Sequence, residues 1–348
     1  MNTSNPQRVL IVRLSAIGDI VMASGLIPAL RTLWPEAYIA WLAESGPSEL
    51  LRANPRLDAV IELPRQRWKT MVREGRRREA LKEQWQFSRM LREQSFDLTI
   101  DLQGLIKSGI WVFASGAPRR IGLGSREGSQ WLMTEVMARN ETDPRMGKEY
   151  RALAVSLGAQ DSDFNPDIEI PTALKEKAQS LLHHEFRDAK VAVLAPFTTR
   201  PQKHWFDERW IELSRGLRSM GFRCLILGGP SDFESAEKLA KPSGAEVISL
   251  AGKTSLLESA ALIQAGQVLI GVDTGLTHLG KAMRTPTIAL FGSTLPYWEG
   301  PTSQSEILYV KEPCSPCHRR PVCNGLFNCM RHLEPQDVLD AVRRVTAP

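Results

Sequence analysis

Two stretches hold side chains whose types and spacing could do chemistry. The first is Val272-Asp273-Thr274-Gly275-Leu276-Thr277-His278, which follows an apolar run, Gln267 to Ile270, and opens a segment of helical spacing, Leu276 to Met283. A strand running into a tight Asp-Thr-Gly turn and a helix leaves several backbone N–H groups unpaired. They lie at the carboxyl edge of a sheet, where open α/β sheets bind ligands. With the helix dipole they favour an anion, most often a phosphate. Thr274, Thr277 and His278 add side-chain donors at the same end. A plain helix cap with a packed histidine uses the same residues, so the rest of the chain must decide. The second stretch is Leu14-Ser15-Ala16-Ile17-Gly18-Asp19, after the β run Arg8 to Val12. Gly18 permits close approach of a substrate. Asp19 sits in a helix's first turn, where its charge suits the dipole. It is either a cap or a general base facing an interdomain cleft. A carboxylate locked in a permanent ion pair could not serve as that base.

Three further loops sit at strand ends. The strand Asp97 to Leu102 runs into Gln103-Gly104-Leu105-Ile106-Lys107-Ser108, and Lys107 could reach an anionic substrate. The strand Val191 to Ala195 is followed by a loop carrying Thr198, Thr199, Arg200 and Lys203, which could surround a pyrophosphate. The strand Cys224 to Leu227 leads into Gly228-Gly229-Pro230-Ser231-Asp232. Its glycines let backbone approach a ligand, and Asp232 could accept from ribose hydroxyls.

The elements that must hold these loops alternate strand and helix in two halves. The first half has strands at Arg8 to Val12, Tyr38 to Leu42, Ala59 to Leu63, Asp97 to Leu102 and Arg119 to Gly124, with apolar helical spacing through Leu30 and a helix over Gly147 to Leu157. The second half adds strands at Val191 to Ala195, Cys224 to Leu227, Glu246 to Leu250, Gln267 to Ile270 and Thr287 to Leu290, and a helix starting near Asp207. The polar segment Asp161 to Pro171, with two prolines, marks the boundary. This predicts two domains, 1–165 and 166–334, with a closing helix in 335–348, and 348 residues give each domain its own core.

Apolar content of 43% and charged content of 24% suit a soluble globular protein. No apolar run reaches the ~18 residues of a membrane span. Arg13 and Asp19 interrupt what would be a signal sequence, so a cytoplasmic location is expected. A net charge of +5 and a pI of about 9.0 favour an acidic partner. The segment Pro64 to Phe96 sets ten basic residues against four acids, with Trp68 and Trp85 interleaved. Alternating charge on a solvated helix explains Lys82 to Glu93. The cluster Arg65 to Arg78 suits an anionic surface better. No helix-turn-helix, zinc-finger or RNA-binding signature accompanies it, so nucleic acid is not expected. Cys314, Cys317, Cys323 and Cys329 crowd the end. Four thiolates could hold zinc or an iron–sulfur cluster, but the spacing does not match a common zinc-finger pattern, and buried free thiols or a local disulfide are the alternative.

Taken together, Arg13-Leu-Ser-Ala-Ile-Gly-Asp19, Asp101-Leu-Gln-Gly-Leu-Ile-Lys-Ser108, Thr198-Thr-Arg200 with Lys203-His-Trp205, and Val272-Asp-Thr-Gly-Leu-Thr-His278 span nearly the whole chain. In this order they resemble the ADP-heptose:lipopolysaccharide heptosyltransferases of glycosyltransferase family 9, most of all the type I branch. The resemblance implies a GT-B α/β fold, two Rossmann-like β/α/β domains facing a central cleft. It implies an inverting, metal-independent transfer of heptose from ADP-L-glycero-D-manno-heptose to the Kdo and inner-core region of lipopolysaccharide, with no cofactor. Asp19 would be the general base. Thr198, Thr199, Lys203, Thr274, Gly275 and Leu276 would hold the diphosphate, with Asp273 and His278 lining the sugar and phosphate region. Asp232 falls where a family glutamate contacts ribose, and is shorter. The acceptor, Kdo-lipid A or another inner-core glycolipid, would meet Ser15, Gly18, Lys107, Arg65 and Arg67 at the cytoplasmic face of the inner membrane. Rival expectations are a type II step or another sugar within the family, a sugar-nucleotide epimerase, and a non-catalytic nucleotide-sugar binder. A Rossmann oxidoreductase is disfavoured because no Gly-x-Gly-x-x-Gly follows Arg8 to Val12.

Overall fold

The computed structural model describes residues 5–140, 142–244, 247–297, 304–317 and 320–347; Glu246, expected to start a strand, lies outside them. The chain divides into two compact units. One is Met1–Asp143 with Gly147–Glu169, and the other is Pro144–Met146 with Ile170–Pro348.

The first unit is built on β1 (Arg8–Val12), β2 (Tyr38–Glu44), β3 (Ala59–Leu63), β4 (Leu98–Asp101), β5 (Arg119–Leu123) and β6 (Glu135–Met137). They form one parallel sheet in the order β3-β2-β1-β4-β5-β6. Its helices are α1 (Ile17–Ala23), α2 (Leu26–Leu33), the short α3 (Ser45–Ser48), α4 (Arg65–Arg73), α5 (Arg77–Glu93), α6 (Ile106–Ala114) and α7 (Lys148–Ser156). Strands covered on both faces read as continuous apolar runs. Val9, Ile11, Ile39 and Trp41 pack with Ile27, Leu30 and Leu153 on one face. Leu10, Val12, Ala40 and Leu42 pack with Trp68, Leu91 and Trp111 on the other. Helical spacing alone predicts one helix from Asp19 to Leu30, but the chain breaks between α1 and α2. Ser24 Oγ donates to the Val21 carbonyl at 2.7 Å and accepts the Asp167 amide at 2.7 Å, which ties the returning segment to the break.

The second unit repeats the plan with β7 (Lys190–Ala195), β8 (Phe222–Ile226), β9 (Val247–Ser249), β10 (Val268–Val272), β11 (Thr287–Phe291) and β12 (Ser305–Tyr309), ordered β12-β11-β10-β7-β8-β9 and parallel throughout. Around it lie α8 (Thr172–Phe186), α9 (Asp207–Ser219), α10 (Phe233–Ser243), α11 (Leu256–Ala265), α12 (Gly275–Ala282), the short α13 (Asn328–Arg331) and α14 (Pro335–Val345). Leu194, Ile270 and Leu290 meet Trp210, Leu213, Val338 and Val342 in one core.

Both sheets reverse their strand order beside the first strand of the unit, between β1 and β4 and between β7 and β10. Such switch points open a crevice at the strands' carboxyl ends. Four of the loops singled out from sequence leave these four strands. The edge strands β6 and β12 were not expected; β6 is only three residues long, and neither strand buries a residue fully. Among the described residues, no helix is long and apolar enough to cross a membrane.

Helix α12 can lie close on β10 only because it contains Gly280. A Cβ there would fall 2.3 Å from Leu269 Cδ2 and 2.7 Å from Thr287 Oγ1. Overpacking of this kind costs about 1–3 kcal/mol. Gly280→Ala is therefore expected to lower stability by that amount in urea unfolding; an unchanged midpoint contradicts the packing described.

Candidate functional site

In the second unit the carboxyl ends of β7, β10 and β11 are tied to one side chain. Asp273 follows β10 directly, and its Oδ2 accepts from Lys203 Nζ and, at 2.6 Å, from Thr294 Oγ1. Its Oδ1 lies 3.4 Å from His278 Nε2. Lys203 comes from the loop after β7, Thr294 from the loop after β11, and His278 from α12. Burial works against the Asp273 charge, yet the His278 and Lys203 contacts outweigh it and hold the carboxyl well below the usual carboxylate range.

Thr274 caps α12 in an extended conformation, without a side-chain cap bond, and Gly275 and Leu276 form the helix's first turn. The first amides of a helix have no intrahelical acceptor, and together they carry partial positive charge. These amides and the Lys203 ammonium therefore converge on the Asp273 loop. Among the described residues Asp273 takes one of the three ammonium donors of Lys203. Thr277 does not join them. It is buried and its hydroxyl donates to the Val272 carbonyl at 2.6 Å, so it closes the turn rather than facing a ligand. Gly271 makes room for that bond, since a Cβ there would fall 2.2 Å from Thr277 Oγ1.

Behind His278 lies a polar layer that the sequence did not reveal. Tyr297 Oη is 2.6 Å from His278 Nδ1, and Lys281 Nζ sits 4.6 Å from the Tyr297 ring centre. Burial, and then the Asp273 charge, push the Tyr297 hydroxyl well above its ordinary value, so it keeps its proton. His278 thus bridges the two, with Nδ1 at Tyr297 Oη and Nε2 toward Asp273 Oδ1.

The remaining donor-side candidates are spread along neighbouring loops. Thr198 is half-buried and Thr199 exposed, and the Thr198 carbonyl lies 2.7 Å from His204 Nε2. Asp232 turns back on its own loop, where Oδ2 accepts the Gly229 amide at 2.8 Å and Oδ1 the Ser231 hydroxyl at 3.4 Å. The cysteines are free thiols: Cys314, Cys317 and Cys323 partly exposed, Cys329 buried. Burial and the neighbouring thiols push Cys329 up to about 11. No group of three His, Cys, Asp or Glu side chains among the described residues is arranged to hold a metal ion. The tail packs instead against the loop after β11. Ser315 Oγ donates to the Gly292 carbonyl, and a Cβ on Gly292 would fall 2.8 Å from Cys329 Sγ. The cysteine segment thus braces the loop that delivers Thr294.

In the first unit the loops after β1 and β4 meet. Asp19 is ion-paired with Arg13 through Oδ2, which also accepts the Ala16 amide at 3.1 Å. Among the described residues its Oδ1 has no partner, and the side chain is 36% exposed. Arg13 is buried and donates to the Leu102 carbonyl at 2.8 Å; its Nε is buried without a partner among the described residues. Gly18 is buried in α1. Lys107 Nζ reaches Ser15 Oγ at 3.4 Å, so the two loops touch. Asp101 holds the second loop: it accepts from the Gln103 and Gly104 amides and from Ser108 Oγ at 2.9, 3.2 and 3.0 Å. Of the arginines, Arg65 pairs with Glu44 at 2.9 Å and Arg67 with Glu83 at 2.6 Å.

Comparison with known proteins agrees with this layout. A family model described as glycosyltransferase family 9 (heptosyltransferase) matches residues 84–326. The lipopolysaccharide heptosyltransferase 1 of Pseudomonas aeruginosa is 28% identical over 323 residues, 90% of this chain and 86% of that protein. The lipopolysaccharide heptosyltransferase 2 of Escherichia coli K12 is 24% identical over 347 residues, 96% of this chain and 97% of that protein. The solved structure of the E. coli heptosyltransferase WaaC with ADP-2-deoxy-2-fluoro heptose superposes with a TM-score of 0.74 at 25% identity, covering 97% of this chain and 99% of that one.

Lys281 gives this site a measurable signature. Burial alone pulls its ammonium down to about 8. The unfolded chain keeps the proton up to ~10.4, so between about 8 and that value unfolding takes up a proton and stability rises with pH. Below about 8 both states are charged and the burial penalty is felt in full. Lys281→Met is expected to raise the urea midpoint at neutral pH, with an advantage that narrows as pH climbs through that window. Equal midpoints at neutral pH contradict it.

Proposed function

Because the chain belongs to glycosyltransferase family 9, we propose that it transfers heptose from ADP-L-glycero-D-manno-heptose to the Kdo and inner-core region of lipopolysaccharide, with inversion and without a metal. The observation that carries the donor half is the convergence of Lys203 and the amino end of α12 on one loop. Breaking the bond from the anomeric carbon to the diphosphate leaves an anion on ADP and an oxocarbenium-like sugar, and a site that receives the anion lowers that barrier. Lys203, the amides of Gly275 and Leu276, and the Thr198, Thr199 and Thr274 hydroxyls form such a site. Asp273 and His278 set the position of Lys203 and line the sugar side. Asp232 stands at the ribose, one methylene shorter than a glutamate.

In the acceptor half, Asp19 takes the proton of the attacking hydroxyl while that oxygen bonds to the anomeric carbon and ADP leaves from the opposite face. The Arg13 pair bears directly on this role. A permanent pair would end it; here Arg13 and the Ala16 amide share Oδ2, while Oδ1 has no partner among the described residues, so one oxygen of the exposed carboxylate is left to take the proton. The pair therefore orients the base. Ser15, Gly18, Lys107, Arg65 and Arg67 are proposed for the acceptor's anionic groups. An acceptor of this kind, Kdo-lipid A or another inner-core glycolipid, places the enzyme at the cytoplasmic face of the inner membrane, as a peripheral protein.

The type II relative, aligned over 96% of this chain, supports a second reading, transfer to an acceptor that already carries heptose. A product assay separates the two. With ADP-heptose, product on Kdo-lipid A and none on the heptosylated acceptor is expected; the reverse pattern selects the second reading. Change of the ADP-sugar without any acceptor would reveal an epimerase, and tight binding without turnover a binder. Asp19→Asn is expected to lower turnover by roughly 10²–10⁴-fold with ADP-heptose affinity retained; wild-type turnover removes Asp19 from the mechanism. Lys203→Ala is expected to weaken ADP-heptose binding in calorimetry, and an unchanged affinity removes it from the diphosphate site.

A further inference from the structure

Helices α4, α5 and α6 enclose a groove of about 610 Å³. Trp68 and Trp111 form its floor, with ring centres 5.4 Å apart. Around the floor stand Arg65, Lys69, Arg73 and Lys107, and at the rim Trp85 and Ile110. The apolar rim continues beyond the groove. Leu81 stands one turn before Trp85 on α5, and Phe113 one turn after Ile110 on α6. Trp85 and Leu81 are each 64% exposed, and Ile110 and Phe113 are 50% and 52% exposed.

Two observations say what covers this face. The first is charge. Arg65, Arg67, Arg76 and Arg89 are answered by glutamates. Lys69, Arg73, Arg77, Arg78 and Lys82 form no ion pair or side-chain hydrogen bond among the described residues. Their combined potential calls for an anionic partner. The second is the mixture. A purely solvated charged helix has no reason to show Trp85 and Leu81 beside its cations, with Ile110 and Phe113 exposed on the neighbouring helix, and an apolar patch of this kind marks a contact surface. Cations around an exposed tryptophan match a headgroup layer, where an indole lies between water and hydrocarbon.

We propose that this face docks on an anionic lipid bilayer: Trp85, Leu81, Ile110 and Phe113 enter the headgroup layer, and Lys69 and Arg73 with their unpaired neighbours lie over lipid phosphates. It deepens the glycolipid-acceptor reading by naming the surface on which such an acceptor is met. The groove between the helices then opens toward the bilayer.

The test is co-sedimentation of the full chain with vesicles of phosphatidylcholine plus phosphatidylglycerol, or of phosphatidylcholine alone, at low and high salt. Wild type is expected to bind the anionic vesicles, and less at high salt. A basic residue near such a surface contributes about fivefold, so Lys69→Gln with Arg73→Gln is expected to lose about 25-fold at low salt. Trp85→Ser with Leu81→Ser is expected to weaken binding at both salts. Unaltered binding by both double variants, no binding by wild type, or equal binding to both vesicle types overturns the proposal. So does a change of oligomeric state in the variants without loss of vesicle binding, which would make the face a contact between copies. Trp85 and Leu81 carry no acceptor role, so transfer to a soluble, deacylated acceptor should persist in that pair; for Lys69→Gln with Arg73→Gln, which share the groove with Arg65 and Lys107, an unchanged urea midpoint reports on folding. Vesicle binding without any transfer by wild type sinks the heptosyl reading alone. Transfer without vesicle binding sinks the docking surface alone.

Discussion

One buried carboxylate holds the second unit's functional edge together. Asp273 draws Lys203, Thr294 and His278 from the ends of three adjacent strands onto its two oxygens. A lone buried carboxylate would be costly, and removing one partner of such a pair leaves the other uncompensated. The cluster is therefore cooperative: each loop is fixed because the other two are. Its consequence is electrostatic. Lys203 is held where the amino end of α12 already favours negative charge, so the site is arranged for an anion before one arrives. The carboxy-terminal segment extends the same constraint, since Ser315 and Cys329 fasten the loop that carries Thr294.

The first unit solves a similar problem with the charges reversed. There a buried arginine, Arg13, reaches the Leu102 carbonyl at the end of β4 and the carboxylate of Asp19 at the start of α1. A buried acid, Asp101, rigidifies the loop from which Lys107 approaches Ser15. Burial pulls the Asp101 carboxyl up, and two backbone amides, Ser108 and the Arg13 charge work against it. In both units the polar groups collect where the strand order reverses, so the doubly wound topology explains why loops distant in sequence meet.

Much of this was legible because doubly covered parallel strands leave unbroken apolar runs, as β1 and β10 do, each followed by glycine and polar residues. The edge strands β6 and β12 were not, because β6 is only three residues long and neither is covered deeply enough to bury a residue fully. The break after α1 was hidden because Ser24 and Gly25 are tolerated in a helix, and only the returning segment gives them a reason to end one. Within the site, Asp273, Lys203 and His278 stood out by type and position. Thr294 and Tyr297 did not; their one signal was a Gly-Ser-Thr stretch after an apolar run, and the burial that gives them meaning comes from packing. Thr277 shows the opposite limit. A threonine beside a helix start can face a ligand or bond the strand it leaves, and sequence does not choose between them.

The central claim is that Asp273 acts through Lys203, as the anchor that sets the ammonium against the donor's diphosphate. A double-mutant cycle on ADP affinity, with Asp273→Ala, Lys203→Ala and both together, measures this most directly. Losses in the double variant no larger than in Lys203→Ala alone are predicted, because an anchor has nothing to do once its cation is gone. Additive losses would mean that the two side chains meet the nucleotide independently, and would contradict the account.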